Sequence, residues 1–249
     1  MTSGSLRSAL FLTAVLLIPM RSYAADLTVT NAYGASVNFS AASGNLVVTL
    51  TNNWTGDPTI AKDILTAVFF NIDPSLGDTL KPLSAVICAT CSVTNGGKTD
   101  PGGSVGGEWA YQHQDGGIWF GDNYGISAAS LNAFVKSDLF PGNNLAGTAN
   151  GPGGIDYGID TKADTTANDL ADLAGVPLVL NQVIFTLAGL PPGFDPTAAI
   201  SDVHFNYGNT PLLSNPVPEP ASLALLCLGG VTAWGTRRRR RKQQQATAA

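Results

Sequence analysis

Apolar residues between positions 25 and 214 recur mainly with a period of two, in short runs. Such alternation is typical of half-buried β-strands, because successive side chains of a strand point to opposite faces. One run, Ile64 to Ile72, is apolar enough to predict a central strand, and turn residues such as Asn95-Gly96-Gly97 separate the runs. The predicted strands are Leu27–Thr30, Ser36–Phe39, Leu46–Thr51, Ile64–Ile72, Leu83–Cys88, Val183–Leu187 and Val203–Tyr207.

Two segments have helical rather than alternating spacing. Residues 128–139 carry apolar positions three or four apart and end at Pro141-Gly142, while residues 165–173 are followed by Gly175. Each segment predicts a short helix. The predicted strands do not alternate with long helices, so the sequence predicts a mainly β fold. We expect a single antiparallel β-sandwich or jelly-roll-like domain over residues 25–214, with one or two short helices.

Composition supports this fold and excludes one class of partner. Residues 26–215 contain 24 Gly and 11 Pro, which favours many turns over a helical bundle. Between Asp26 and Asp202 there are 17 acidic residues, five Lys and no Arg, an excess of 12 negative charges. Nucleic-acid binding needs cationic side chains spread over a face, and this part of the chain does not supply them.

The first 24 residues predict a signal peptide that is removed during export. Arg7 supplies a positive start, Ala9–Ile18 is apolar at every position but Thr13, and Pro19 ends this run. Small residues at Ser22 and Ala24 then match the positions that a signal peptidase inspects, so we expect cleavage after Ala24. A helix of ten residues rises about 15 Å, which is too short for a bilayer core of about 30 Å.

The C-terminal segment, residues 215–242, contains an apolar run followed by a basic cluster, and a polar tail occupies residues 243–249. As a helix, residues 221–236 would span about 24 Å, enough to cross the inner membrane if the flanking cations reach its edge. The cations that follow stay cytoplasmic by the positive-inside rule, which orients the body outward. They are Arg237, Arg238, Arg239, Arg240, Arg241 and Lys242.

A short motif, Pro218-Glu219-Pro220, precedes the apolar run. The order of motif, apolar run and basic cluster resembles the PEP-CTERM sorting signal of Gram-negative bacteria. The resemblance implies an exosortase as partner, an integral-membrane cysteine protease that recognises the motif and cuts near it. It also implies a transient membrane anchor with the body in the periplasm, followed by release to the cell surface or the extracellular matrix. The alternative is a plain C-terminal membrane anchor in which Pro-Glu-Pro is coincidental.

The PEP-CTERM resemblance says where the protein goes and leaves its activity open. Proteins with this signal accompany exopolysaccharide production and biofilm formation, but their bodies are otherwise unrelated. The first hypothesis is therefore a non-catalytic structural or adhesive protein. The second is a carbohydrate-binding module that tethers secreted polysaccharide, and the third, least favoured, is a secreted hydrolase.

Cys88 and Cys91 form the cysteine pair outside the apolar run. Because the signal peptide implies an oxidising compartment, we expect a short-loop disulfide between them. A zinc site is disfavoured, because the sequence holds one further Cys and two His. A redox role is disfavoured as well, since the pair does not open a predicted helix.

A β-hairpin is predicted around Asp115-Gly116. Strand alternation puts Trp109 and Tyr111 on one face of its first arm, and Trp119 lies on the second arm. The sequence leaves two interpretations open. These rings could form an exposed row that stacks on sugars, with Glu108 binding hydroxyls, or they could be part of the sandwich core.

The remaining candidates for chemistry carry less weight. Asp156, Asp160 and Asp164 are weak candidates for calcium ligands, although their spacing fits no established calcium loop and a solvated acidic face is the other interpretation. We expect no other cofactor. Ser104 matches Gly-x-Ser-x-Gly without the strand and helix that a nucleophile elbow needs. His204, alone in a strand-like run, is interpreted as structural. We therefore expect no enzymatic activity.

Overall fold

The structure, a computed structural model, describes residues 25–56, 58–76, 79–129, 138–147, 153–164 and 173–209. The predicted signal peptide (1–24) and the predicted sorting signal (215–242) lie outside these ranges. Within them, the helices are short, and none has the length and apolar character that crossing a membrane requires.

Twelve short strands form the regular structure of the described chain, together with one α-helix of four residues and three short 3-10 helices. The helix, α1, spans Pro196–Ala199 and begins after Asp195, whose side chain accepts a hydrogen bond from Thr197 N. In chain order the strands are β1 (Leu27–Thr30), β2 (Ala35–Ala42), β3 (Asn45–Asn52), β4 (Leu65–Ile72), β5 (Lys81–Ile87), β6 (Ala110–His113), β7 (Tyr124–Ser127), β8 (Asp138–Leu139), β9 (Ile159–Asp160), β10 (Val179–Leu180), β11 (Gln182–Ala188) and β12 (Ile200–Tyr207).

The first sheet is antiparallel and has the strand order β1-β2-β3-β11-β5. Along β3 and β11, buried and partly exposed residues alternate without interruption. Apart from Asn52 at the end of β3, the buried positions hold Val, Leu and Phe, so the alternation in the sequence predicts the inner face. The outer face is rich in Ser, Thr, Asn and Gln.

The second sheet has the order β10-β9-β4-β7-β6-β8, and β12 pairs antiparallel with β4. Strand β4 lies between β7 and β12, and seven of its eight residues are buried. This confirms the prediction of a central strand. The apolar side chains cover both faces because one faces the first sheet and the other lies beneath the segment from Ile118 to Phe120.

Aromatic rings join the two sheets. Phe39 of β2 meets Phe70 of β4 edge to face, with ring centroids 5.0 Å apart. Trp109, just before β6, meets Phe185 of β11 in the same way at 4.8 Å. All four rings are fully buried, and each such burial contributes on the order of 1.5–3 kcal/mol. The mainly β, two-sheet architecture is therefore as predicted.

The predictions of helices were less successful. Residues 130–137 and 165–172, which hold most of the two predicted helices, lie outside the described residues. Where the first prediction can be compared, it is wrong, because Asp138 and Leu139 form strand β8. They pair with Tyr111 and Ala110 of β6, so a tertiary strand pairing overrides the helical spacing of the sequence.

Candidate functional site

A disulfide joins Cys88 and Cys91 directly after β5, with an S–S distance of 2.04 Å. The bridge closes a tight turn in which Cys91 N donates a hydrogen bond to Cys88 O at 2.9 Å. This is the pairing that the sequence predicts. Its position at the end of a strand indicates a structural role, in which the bridge stabilises the turn after β5.

The aromatic hairpin differs from its prediction. Strand β6 pairs with β7, so Ile118–Phe120 belong to the connecting loop, which Gln114 N and Asn123 O close at 2.9 Å. Trp109 is 0% exposed and Tyr111 is 3% exposed. The prediction of an exposed sugar-stacking row is therefore wrong for these two residues. Both rings belong to the core, because this side of the chain faces the first sheet.

Trp119 keeps part of its surface exposed. Together with Ile118 and Phe120 it packs on the outer face of the second sheet, against Ala67 and Phe69. Phe120 meets Phe69 edge to face at 5.9 Å. The loop thus covers a small satellite core, and Trp119 is the member of the predicted sugar-stacking set that solvent reaches.

Glu108 is committed to the backbone of a neighbouring loop. Its Oε1 accepts hydrogen bonds from Leu145 N and from Ala146 N, the latter at 2.8 Å. The residue is 1% exposed, and burial raises the pKa of the carboxyl above its ordinary value. A carboxylate held in this way fixes the loop. It is not available to bind sugar hydroxyls, which the interpretation of an exposed sugar-stacking row required.

The three calcium candidates are not brought together. Asp160 is buried and its Oδ1 accepts a hydrogen bond from Thr161 N at 2.6 Å. Asp156 is partly buried, which raises its pKa. In the described part of the chain, no three His, Cys, Asp or Glu side chains, Asp164 included, are placed to hold a common metal ion.

The structure reveals a polar pair, formed by a buried Asp and a partly exposed His, that the sequence did not indicate. Asp122, fully buried in the loop before β7, has its Oδ2 2.6 Å from Nδ1 of His204 on β12. Its other oxygen, Oδ1, accepts a hydrogen bond from Asn71 Nδ2 on β4 at 3.3 Å. Phe120 stacks on the other side of the imidazole, with ring centroids 5.1 Å apart. These contacts fix the imidazole plane, as a carboxylate does for a ligating or catalytic histidine.

The charge on Asp122 is sensitive to its surroundings. Burial raises the pKa of its carboxyl from 3.8 to about 6, while the hydrogen bond and the charge of His204 oppose that rise. The nearby charge of Asp202 raises the pKa further. Asp202 is itself tied to Asn71, whose Nδ2 donates to its Oδ2 at 3.2 Å. One asparagine therefore bridges two carboxylates.

A polar pocket of about 360 Å³ opens beside this pair. The Oδ1 atom of Asn123 is buried there, and no group in the described residues donates a hydrogen bond to it. Ser201 Oγ donates to Asp202 Oδ2 at 2.9 Å, which leaves the other oxygen of that carboxylate available. The polar residues that line the pocket are Asn71, Asp73, Asn123, Ser201 and Asp202. The accessible carboxylate of Asp202 suits a ligand with hydroxyl donors, whereas Asn123 Oδ1 is covered by the protein.

Two residues of this region have a left-handed backbone. Phe120 has φ of 58° and Asp202 has φ of 50°. Asp tolerates this conformation better than a bulky aromatic residue, for which it is uncommon. Such conformations persist when surrounding contacts determine them, and they are enriched at binding sites. Here the left-handed backbone allows the Phe120 ring to stack on His204 and places Asp202 in the lining of the pocket.

Comparison with known protein families gives one match, at the C-terminus. Residues 216–241 match the PEP-CTERM protein-sorting motif, in the position that the sequence resemblance predicted. The comparison with curated proteins gave no match, and neither did the comparison with solved structures. The match covers about a tenth of the chain, so it bears on sorting rather than on the sandwich.

Proposed function

From the PEP-CTERM sorting signal, which marks a surface protein exported in an exosortase-dependent way, we propose that the body acts as a non-catalytic component of the cell surface or extracellular matrix. After export the exosortase removes the C-terminal segment, and the sandwich is released among exopolysaccharide and biofilm material. The match at residues 216–241 is the observation that carries this proposal.

The outer face of the first sheet supports a structural or adhesive role. It carries neutral side chains that are partly exposed and that form hydrogen bonds with each other across strands. Asn38 Nδ2 donates to Thr28 Oγ1 at 2.9 Å, and Gln182 Nε2 donates to Thr51 Oγ1 at 3.0 Å. Hydroxyl and amide groups exchange hydrogen bonds readily with polymer hydroxyls. Further members of this face are Ser36, Ser40, Thr49 and Thr186.

The intact mass of the protein recovered from the surface or medium of its host tests the sorting proposal. We expect a chain that starts near Ala25 and ends near Pro218–Pro220, and any additional mass identifies a group attached at the new C-terminus. A species that starts there but keeps residues 237–242 would mean a plain membrane anchor. That result would remove the main support for a matrix role.

A substitution in the motif tests the same proposal inside the cell. Glu219→Ala removes the one charge of the Pro-Glu-Pro motif, and we expect the unprocessed form to accumulate at the membrane. Asp115→Asn is the matched control, because it removes one exposed negative charge of the body and leaves the motif unchanged. Normal processing of Glu219→Ala in an exosortase-containing host would contradict the proposal.

A second candidate function is the tethering of secreted polysaccharide. The polar pocket favours it, because the second carboxylate oxygen of Asp202 and the amide and hydroxyl groups of the lining can form hydrogen bonds with sugar hydroxyls. The partly exposed ring of Trp119 lies on the same face of the second sheet. In this alternative the protein binds the polymer directly, whereas the structural role needs no defined ligand.

A further inference from the structure

The described chain ends at one end of the sandwich, which we call the exit end. Strand β12 finishes at Tyr207, and Gly208 is then fixed by three hydrogen bonds, one of them from Asn206 Nδ2 to Gly208 O at 3.2 Å. Gly208 N donates to Ile64 O at 2.9 Å, and Thr66 Oγ1 donates to Gly208 O at 2.6 Å. The path of the chain towards the C-terminal signal is therefore defined up to this residue.

Only a short stretch of chain separates the exit end from the predicted membrane segment. Residues 210–220 are 11 in number, and the apolar run begins at Ala221. A fully extended chain covers at most about 3.3–3.6 Å per residue, so these residues reach no further than about 40 Å. While the anchor is in the membrane, the exit end must stay within that distance of the bilayer surface.

Two of the four exposed large hydrophobic side chains in the described part of the chain lie at this end. Tyr33, in the turn between β1 and β2, is 56% exposed, and Ile60, between β3 and β4, is 39% exposed. Trp54, from the same connection as Ile60, is partly exposed. The two connections thus place a phenol, an indole and an aliphatic side chain, those of Tyr33, Trp54 and Ile60, at this end. Tyr and Trp are the residues enriched where hydrocarbon meets water at a membrane.

These side chains surround the point where the chain leaves. The ring of Tyr33 meets that of Tyr207 edge to face, with centroids 6.2 Å apart. The turn of Tyr33 is joined to the other connection by a hydrogen bond from Asn53 N to Gly34 O at 2.9 Å. A Cβ atom placed on Gly208 would lie 3.2 Å from Ala61 O, next to Ile60. The three side chains and the exit therefore share one surface.

The charges of the exit end are compatible with a phospholipid surface. Lys62 and Lys162 are both exposed, and they are two of the five lysines in the body. Lys162 follows Thr161, whose hydroxyl donates to Trp54 O. Asp63 directs its carboxylate at the backbone, where Oδ2 accepts from Thr59 N at 2.8 Å. Asp160, which precedes Thr161, is buried, and Asp164, two residues after Lys162, is partly buried.

We propose that the exit end lies on the outer leaflet of the inner membrane while the C-terminal anchor is in place, with Tyr33, Trp54 and Ile60 at headgroup level. This inference rests on the proposed function, because the anchor supplies the proximity. A short tether gives a high effective concentration, so a weak affinity for lipid is sufficient. Cleavage by the exosortase removes the tether, and the body then leaves the membrane.

Fluorescence quenching in vesicles tests this orientation without an exosortase. Full-length protein with Trp234→Phe, which removes the tryptophan of the membrane segment, is inserted into vesicles of phosphatidylethanolamine and phosphatidylglycerol. A nitroxide attached to the lipid headgroup serves as the quencher. We expect clear quenching, and we expect Trp54→Phe to remove most of it. The matched control, Trp119→Phe, changes a partly exposed ring of the loop on the second sheet and should leave the quenching unchanged.

Each outcome has a defined meaning. Equal quenching in the parent and in Trp54→Phe would overturn the proposal. Absence of quenching in the parent protein, together with cross-links between copies at Tyr33, would also overturn the proposal. It would mean that a second copy of the chain covers this surface. Failure of the protein to float with the vesicles would instead contradict membrane anchoring, and with it the proposed function. Tyr33→Ser with Ile60→Ser should weaken quenching of Trp54, whereas Leu83→Ser with Leu139→Ser, at exposed positions elsewhere, should not.

Discussion

Asp122 Oδ2 lies 2.6 Å from His204 Nδ1, and this contact ties β12 to the loop that precedes β7. Asn71, on the strand between them, bonds to Asp122 and also receives a hydrogen bond from Asn123 N at 2.8 Å. The network therefore spans three segments that are distant in sequence. It also forms the side of the polar pocket, so the stability of this region and any binding there depend on the same few groups.

The stability of the protein should depend on the ionisation of Asp122. Burial raises its pKa to about 6 in the folded chain, above its ordinary 3.8. A raised pKa means that folding favours the protonated form. The contribution of protonated Asp122 to the free energy of unfolding is complete below about pH 4 and is lost as the pH rises through about 6. Asp122→Asn imitates the neutral form, so we expect its stability relative to wild type to increase between about pH 4 and pH 6 and to level off at higher pH.

Urea unfolding of both proteins across this pH range measures the effect. The quantity to compare is the difference in unfolding free energy between variant and wild type at each pH, which removes the contributions of all other titrating groups. A difference in unfolding free energy that stays constant with pH would contradict the raised pKa of Asp122 in the folded chain. Asp115→Asn, at an exposed side chain, is the control and should follow wild type throughout.

Glu108 should determine the order of the loop at residues 143–147. Glu108→Ala leaves the backbone N–H groups of Leu145 and Ala146 without their acceptor, at a cost of about 1–3 kcal/mol. We expect amide hydrogen exchange at these two residues to become faster. Glu108→Gln keeps an acceptor oxygen and should cost less. Unchanged exchange in Glu108→Ala would show that other contacts hold the loop.

The polysaccharide alternative predicts a loss of binding at the pocket. Asp202→Asn with Asn123→Ala removes the charged acceptor and the unpartnered amide, and Asn is tolerated at the left-handed backbone of residue 202. If the pocket binds the polymer, the double variant should elute earlier than wild type from a column carrying the host's exopolysaccharide. Asp115→Asn removes a charge elsewhere and should elute unchanged. Equal retention of all three proteins would exclude the pocket and leave the structural role.

The strands could be predicted because their signal is local. In β3, Leu46, Val48 and Leu50 alternate with polar or less buried positions, so six residues were enough to identify the strand and its inner face. Strands β8, β9 and β10 have two residues each, and they exist only because a neighbouring strand offers backbone partners. A period cannot be read from two residues.

The polar pair could not be predicted for a related reason. Asp122 and His204 are 82 residues apart, and they meet only because β12 pairs with β4 and the loop before β7 folds over that face. Their contact depends on strand register, which a single sequence does not contain. The hairpin shows the same limit, because Asp115-Gly116 correctly indicated a reversal but not that the second strand would begin at Tyr124.

Trp109 and Trp119 should respond differently to truncation. Trp109 is fully buried and packs edge-on against Phe185, so Trp109→Ala should cost about 3–5 kcal/mol of unfolding free energy. Trp119→Ala removes a partly exposed ring from a satellite cluster and should cost clearly less, because less surface returns to water. Chemical unfolding of the two variants gives the comparison. If Trp109→Ala were as stable as wild type but lost affinity for polysaccharide, its assignment to the core would be wrong and the exposed aromatic row would regain its support.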